Sequence, residues 1–244
     1  MITLRDVDVH FDRAALRQVS LHVPHGKLYG LIGPGAAGKS VLLKVIAGLL
    51  RPQRGTVQVG DQSLEHASEE RLMHVRRGIG MAFQNNALFD FMNVADNVAF
   101  PLRRLFELEE AEIAERVARR LAAVGLPGFE TRLPTGLSGG QRKRVSLARA
   151  TITDASVLLY DEPAAGLDPV SSQKLFDLLR SEQRARQNTV VVVSSDLERL
   201  LGVTDYVGML YAGELIFNGT TEEAWRSNNP YLRQFLRGEV EGPL

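Results

Sequence analysis

The sequence predicts an α/β fold interrupted by a helical insertion. Three observations predict it. Residues 28–32 form an apolar run that leads through a glycine-rich loop into a helical run over 41–47, a strand–loop–helix succession. A second apolar run, 157–160, ends in the carboxylates Asp161 and Glu162, and the β-branched run Thr189–Val193 follows it. Runs of this kind are fully buried strands. Between about 84 and 150 no strand pattern appears, while Ile113, Val117, Leu121 and Val124 recur at helical spacing.

Size and charge narrow the classes. The 244 residues suffice for one large α/β domain or a core plus a subdomain. Lys and Arg number 29, Asp and Glu number 29, and the balance gives no reason to expect a nucleic acid as partner. Cysteine is absent, so there is no disulfide framework and no thiolate metal site, which suits a reducing compartment. Residues 1–6 show no signal-peptide core, and the best apolar runs are broken by Lys44 or Asp161. The expectation is a soluble chain that serves a membrane, if at all, as a peripheral subunit.

The elements follow in order. Residues 2–11 alternate loosely and read as a strand, and 19–23 read as another, turned by Pro24 and Gly26. Phe11, at the strand end before Asp12-Arg13, reads by itself as a core aromatic. Residues 55–60 make a short strand with glycine at both ends. Residues 68–77 make a short charged helix that Ser68 caps. Residues 78–83 form a strand ending at Gln84. Residues 85–104 are mixed and aromatic-rich and define no clear element. Residues 109–124 form an amphipathic helix with Glu112–Arg116 and Glu115–Arg119 pairs on its outer face. Asp168 and Pro169 start a helix as N-cap and N1. Two short strands lie at 206–211 and 214–218, and the tail over 221–244 holds two short helices. There are no internal repeats.

The loop after the first buried strand is Gly33-Pro34-Gly35-Ala36-Ala37-Gly38-Lys39-Ser40, then Val41. It fits the G-x-x-x-x-G-K-[ST] phosphate-binding pattern in the strand–helix context that pattern requires. There, backbone N–H groups and a helix N-terminus face an anion together. Lys39 would reach the β- and γ-phosphates and Ser40 would hold Mg²⁺. In phosphate-loop NTPases a carboxylate at a strand end, here Asp161, orders Mg²⁺ or its water, and Glu162 beside it would orient the attacking water.

A third element is Leu137-Ser138-Gly139-Gly140-Gln141, followed by Arg142-Lys143-Arg144. Its plainest reading is a capping box and a solvated basic face. Two glycines in a first helical turn cost stability, however, and they let backbone N–H groups approach a ligand closely. Two phosphate-binding helix starts in one chain argue for a dimer in which each copy completes the other's site.

With these motifs in order, the chain resembles the ATP-binding subunit of an ABC transporter, and the resemblance covers most of its length. Gly33 to Ser40 is similar to Walker A, Leu137 to Gln141 to the signature, and Val157 to Glu162 to Walker B. Gln84 stands at the Q-loop and Ala165-Gly166-Leu167-Asp168 at the D-loop. Phe11 sits where the family stacks an aromatic on adenine. The resemblance implies a phosphate-loop NTPase core over 1–84 and 150–220 with an antiparallel β subdomain. It further implies a helical subdomain over 85–149 and a tail over 221–244 that is a candidate dimer contact. The cofactors implied are ATP and Mg²⁺. Lys39, Ser40, Val41 and the loop would bind nucleotide, with Phe11 on the base and Ser138, Gly139, Gly140 and Gln141 supplied by a second copy in a head-to-tail sandwich. Ser40, Gln84 and Asp161 would hold the metal. Glu162, Gln84, Ser195 and Asp168 make up the catalytic set.

A narrower resemblance is to the Mla/Mce branch, which moves lipids or other hydrophobic compounds between bacterial membranes. It rests on 83–90, on 97–102, on 159–163 with 165–169, and on Arg233-Gln234-Phe235-Leu236. It implies a peripheral place on the cytoplasmic face of the inner membrane and an integral permease as partner, received near Gln84, Phe89 and Phe91. A small regulatory subunit and a periplasmic lipid-binding protein are candidate further partners. The alternatives are an ABC ATPase for a polar solute, a soluble ABC-type ATPase without a permease, and a regulatory, hydrolysis-deficient binding module, which Ser195 alone suggests and the retained Glu162 argues against.

Two positions depart from the family. Ala36 stands where the loop usually carries glycine, so it must adopt backbone angles that an L-residue tolerates. Ser195 stands where the family has its switch histidine, and all five histidines lie upstream of residue 75. Loss of one such donor costs about 3 kcal/mol, roughly a hundredfold in rate, so slow hydrolysis is expected. Ala164 replaces the branch's threonine with no clear consequence.

Overall fold

Two sheets build the molecule, and the larger of them separates two apolar cores. The computed structural model describes residues 1–244. The chain begins with β1 (Ile2–His10), β2 (Ala14–Val23) and β3 (Leu28–Ile32), then α1 (Lys39–Ile46), β4 (Arg54–Val59) and β5 (Gln62–Ser63). Helix α2 (Glu69–Arg77) and β6 (Ile79–Ala82) follow. Then come α3 (Val94–Leu105), α4 (Glu110–Ala123), a 3-10 turn at Pro134–Gly136, and α5 (Gly139–Thr151), with no strand among them. The alternation resumes with β7 (Val157–Asp161), α6 (Pro169–Arg186), β8 (Thr189–Val193) and α7 (Leu197–Val203). It closes with β9 (Tyr206–Tyr211), β10 (Glu214–Thr220), α8 (Thr221–Arg226) and α9 (Pro230–Arg237).

The smaller sheet is antiparallel, in the order β2-β1-β4-β5. Its buried residues on β1 are Ile2, Leu4, Val7 and Val9. The phase of alternation slips between Leu4 and Val7, where the register shifts and Asp6 takes φ +49°. That bulge is why the sequence alternates only loosely there.

The larger sheet runs β10-β9-β3-β8-β7-β6, parallel throughout except for β10. Successive strand residues point to opposite faces, so each buried strand feeds two cores. Leu28, Leu158, Tyr160, Val190 and Val192 face the helical side with α3 to α6. Tyr29, Leu31, Leu159, Val191 and Val193 face α1, α2 and the antiparallel sheet. Burial on both faces explains why β3, β7 and β8 read as unbroken apolar runs. The phosphate loop leaves the end of β3, and the carboxylates leave the end of its near neighbour β7. The parallel order therefore brings both to one edge of the sheet.

Helix α3 lies inside the segment that sequence patterning left undefined. Asn93 caps it, accepting from the Asp96 N–H at 2.8 Å, and Pro101 interrupts its donor series. The fully buried Asn97 holds the preceding loop: it accepts from the Phe89 N–H and donates to the carbonyls of Phe89, Met92 and Asn93. No helix is long and apolar enough to cross a membrane.

Candidate active site

The phosphate loop is held by steric necessity at two glycines. A Cβ on Gly33, at φ +140°, would stand 2.0 Å from the Leu210 carbonyl oxygen, and one on Gly38, at φ +104°, 2.5 Å from that of Ala15. Ala36 takes φ +59°, in the small left-handed region open to L-residues. The departure at Ala36 is thus accommodated, at a cost of about 1 kcal/mol. Lys39 Nζ donates to the carbonyls of Gly33 and Pro34, each at 2.7 Å, and curls over the loop. Burial pushes its pKa down, opposed by the Glu162 and Asp161 carboxylates. Helix α1 has no side-chain cap and no acidic residue in its first turn, so its leading N–H groups favour an anion.

A cleft of about 590 Å³ opens beside the loop. It is lined by Phe11, Arg13 and Ala15 on one side and by Ala36 to Val41 on the other. Phe11 is 61% exposed and is no core residue. Arg13 is a cleft residue that sequence reasoning missed; a basic residue two positions after the aromatic was the available signal.

At the floor, Ser40 Oγ donates to Asp161 Oδ1 at 3.1 Å, across 121 residues of chain. Asp161 is 6% exposed. No group of three or more His, Cys, Asp or Glu is placed to hold a metal ion by itself. One hydroxyl and one carboxylate, both hard oxygen donors, suit Mg²⁺, which takes few protein ligands and completes its shell with water and substrate phosphates. The residues present therefore fit that ion.

Glu162 follows at φ +48°, a left-handed conformation fixed from every side. Its N–H donates to the Val193 carbonyl at 2.9 Å. Its carbonyl accepts from the Ala165 N–H and from Lys143 Nζ, each at 3.2 Å. Its Oε2 accepts from the N–H and from the hydroxyl of Ser195, each at 3.1 Å. Ser195 thus meets the carboxylate directly.

The remaining predicted residues lie outside the cleft. Ser138 and Gln141 form the reciprocal capping box that starts α5. A Cβ on Gly139 would meet nothing within 4 Å, and one on Gly140 only an ordinary contact with Leu167. Packing within the chain therefore gives no reason for either glycine. The basic run behind them is not a solvated face: Arg142 and Arg144 donate to the carbonyls of Leu137 and Val124, and Lys143 is 9% exposed. Gln84 exposes its side chain, and its carbonyl accepts from Lys143. The Asp168 carboxylate caps α6, accepting from the N–H groups of Val170 and Ser171 at 3.0 Å. The Ser171 hydroxyl, and then these N–H groups, hold its carboxyl below the usual range.

Residues 16–165 match the sequence family described as ABC transporter. This chain belongs to that family. It is 38% identical over 233 residues to the intermembrane phospholipid transport system ATP-binding protein MlaF of Haemophilus influenzae, across 96% of this chain and 88% of that protein. It is 40% identical over 226 residues to the probable ribonucleotide transport ATP-binding protein mkl of Mycobacterium tuberculosis, across 93% of this chain but only 63% of that protein. Among solved structures it is similar to dimeric MJ0796, a bacterial ABC transporter cassette. The TM-score there is 0.86 at 28% identity, over 91% of this chain and 99% of that one.

The ABC cassette carries a second concavity, about 380 Å³, beside β6 and α3. Phe83, Phe89, Phe100, Pro101 and Leu105 line it, with Arg149 at its edge. Phe89 packs on Phe100 with ring centres 4.9 Å apart and on Phe91 at 5.8 Å. Phe91 itself is 79% exposed. Of the two aromatics expected to meet a partner, Phe89 lines the groove and Phe91 stands outside it.

Proposed function

We propose that this chain is the ATP-hydrolysing subunit of a bacterial ABC transporter that moves phospholipid or another hydrophobic compound between membranes. The observation that carries the ATPase reading is the meeting of Ser40 and Asp161 at the mouth of the phosphate loop. Phe11 stacks on adenine, and the 33–41 segment binds the phosphates. Lys39 leaves its two carbonyls to reach the β- and γ-oxygens. Ser40, Asp161 and Gln84 would hold Mg²⁺, which would supply charge neutralisation at those oxygens. Glu162 orients the water that attacks the γ-phosphate, giving ADP and phosphate. Asp168 belongs to the catalytic set through its place at the end of the 165–168 turn, where its carboxylate caps α6.

Ser138, Gly139, Gly140 and Gln141 complete the site of a second copy, head to tail. The exposure of Ser138 and Gly139 and the absence of an internal reason for the two glycines support this. Ser195 lacks the reach and charge of a histidine, so hydrolysis is slow and the closed dimer long-lived. We assign 1–84 and 150–220 to the nucleotide-binding core, 85–149 to a helical subdomain, and 221–244 to a tail that adds a dimer contact. The apolar groove by Phe89 receives a helix of an integral permease. The chain itself sits peripherally on the cytoplasmic face of the inner membrane, and a small regulatory subunit and a periplasmic lipid-binding protein complete the system.

The lipid cargo rests on the similarity to MlaF. The similarity to mkl favours a second reading, a polar solute such as a ribonucleotide. Purifying the chain with its membrane partner and identifying the bound compound decides between them. Bound phospholipid supports the first, a polar solute the second, and no membrane partner at all contradicts both.

A further inference from the structure

One face of α5 grips the loop after β6. Lys143 Nζ donates to the Gln84 carbonyl at 2.6 Å. Ser146 Oγ donates to the Asn86 carbonyl at 3.1 Å, and Arg149 donates to the carbonyls of Asn86 and Ala87, each at 2.7 Å. The three side chains recur every three positions and so project along one stripe of the helix. The gripped residues need holding: Asn86 and Ala87 are consecutive L-residues at φ +61° and +50°.

Lys143 does more than its two neighbours. The same ammonium that holds Gln84 also donates to the Glu162 carbonyl at 3.2 Å. It is a charge taken out of water, 9% exposed, and such a group is costly unless hydrogen-bonded. Its two protein acceptors belong to the Q-loop residue and to the residue that orients water. Helix α5 itself is capped by Ser138, five positions earlier and exposed.

We propose that Lys143 is a positioning residue that ties α5 to Gln84 and Glu162 of its own chain, so that nucleotide engaged at Ser138 sets the readiness of the other ATP site. This rests on the head-to-tail reading above. A shift of α5 along its axis reaches Gln84 and Glu162 together, because one nitrogen holds both. Displacement of a reacting group by about 1 Å costs up to a hundredfold in rate.

The test uses the full chain and two variants. Lys143→Met keeps the length of the stem and removes every donor. Lys143→Gln keeps a donor on a shorter stem and serves if the first fails to fold. Hydrogen exchange is expected to quicken over 84–87 and 162–165 and to stay unchanged over α1. The kcat for Mg-ATP is expected to fall at least tenfold with KM within twofold, and the Hill coefficient to drop from above one towards one. A folded variant with wild-type kcat and Hill coefficient overturns the proposal. So does a wild-type Hill coefficient of one, or a fall in kcat accompanied by equal loss of ATP affinity and thermal stability. If the wild-type chain neither binds nor hydrolyses ATP, the reading of the active site fails. Unchanged exchange at 84–87 and 162–165 would instead refute the role of Lys143 alone.

Discussion

Ser195 donates both its backbone N–H and its hydroxyl to one oxygen of Glu162, each at 3.1 Å. The serine therefore holds the carboxylate to which we assign the orientation of water. Hydrogen bonds to a charged group are worth about 1.5–3 kcal/mol. Ser195→Ala keeps the N–H bond and loses the other, and is expected to lower kcat about tenfold with ATP affinity unchanged. Ser195→His keeps the N–H bond and adds a ring that reaches further. Its steady-state ATPase is expected to rise by up to about a hundredfold. A rate that does not rise refutes the slow-site reading.

The phosphate loop separates two kinds of position. Ala36→Gly relieves a left-handed alanine and is expected to stabilise the nucleotide-free chain by about 1 kcal/mol. That corresponds to roughly 2–4 °C in Tm. Gly33→Ala places a Cβ 2.0 Å from the Leu210 carbonyl, and the loop must move. Thermal unfolding checks the first substitution, and loss of nucleotide binding checks the second.

The contrast shows what the sequence could carry. Gly33 to Ser40 and Val157 to Glu162 are short segments whose backbone and chemistry are set locally, and both stand where their patterns placed them. The strands β3 and β8 match their apolar runs because burial on both faces leaves no polar phase to confuse. Helix α3 keeps Val94, Val98 and Leu102 at helical spacing, but Pro101 inside it and a polar Asn97 on its buried face argue against a helix in the sequence, and only the loop at 89–93 explains the asparagine. Helix α7, seven residues long, is too short for periodicity to show. Lys143 was lost in a basic run because its acceptors, Gln84 and Glu162, are 59 and 19 residues away.

Acid sensitivity should centre on Asp205. Burial pushes its carboxyl up, but Arg180, bonded at 2.7 and 2.8 Å, and the Leu28 N–H at 2.9 Å outweigh this and hold it below the usual range. The folded chain therefore gives up this proton more readily than the unfolded one. Its stabilisation is complete above about pH 4 and is lost as pH falls through the depressed folded value. Asp205→Asn is expected to lower stability by about 2 kcal/mol at pH 7. Denaturant titrations across pH should show the gap to wild type closing as pH falls through the depressed folded value of Asp205.

Arg120 of α4 reaches Glu182 of α6 at 2.6 Å and is 4% exposed, while its Nε and Nη2 have no partner. Glu182→Leu leaves that guanidinium buried and unpaired, and should cost about 3 kcal/mol. Replacing both, as Arg120→Met with Glu182→Leu, is expected to restore most of the loss, because desolvation of the charge then disappears too. Chemical unfolding of the single and double variants measures both.

The central claim is that Gly33 to Ser40 of one copy and Ser138 to Gln141 of another share one Mg-ATP. The direct measurement is the mass in solution of the Glu162→Gln chain, by light scattering, with and without Mg-ATP. A monomer that becomes a dimer only with Mg-ATP is predicted, with Lys39→Ala and Ser138→Arg each keeping the chain monomeric. A dimer that ignores nucleotide, or one that Ser138→Arg leaves intact, would contradict the shared site.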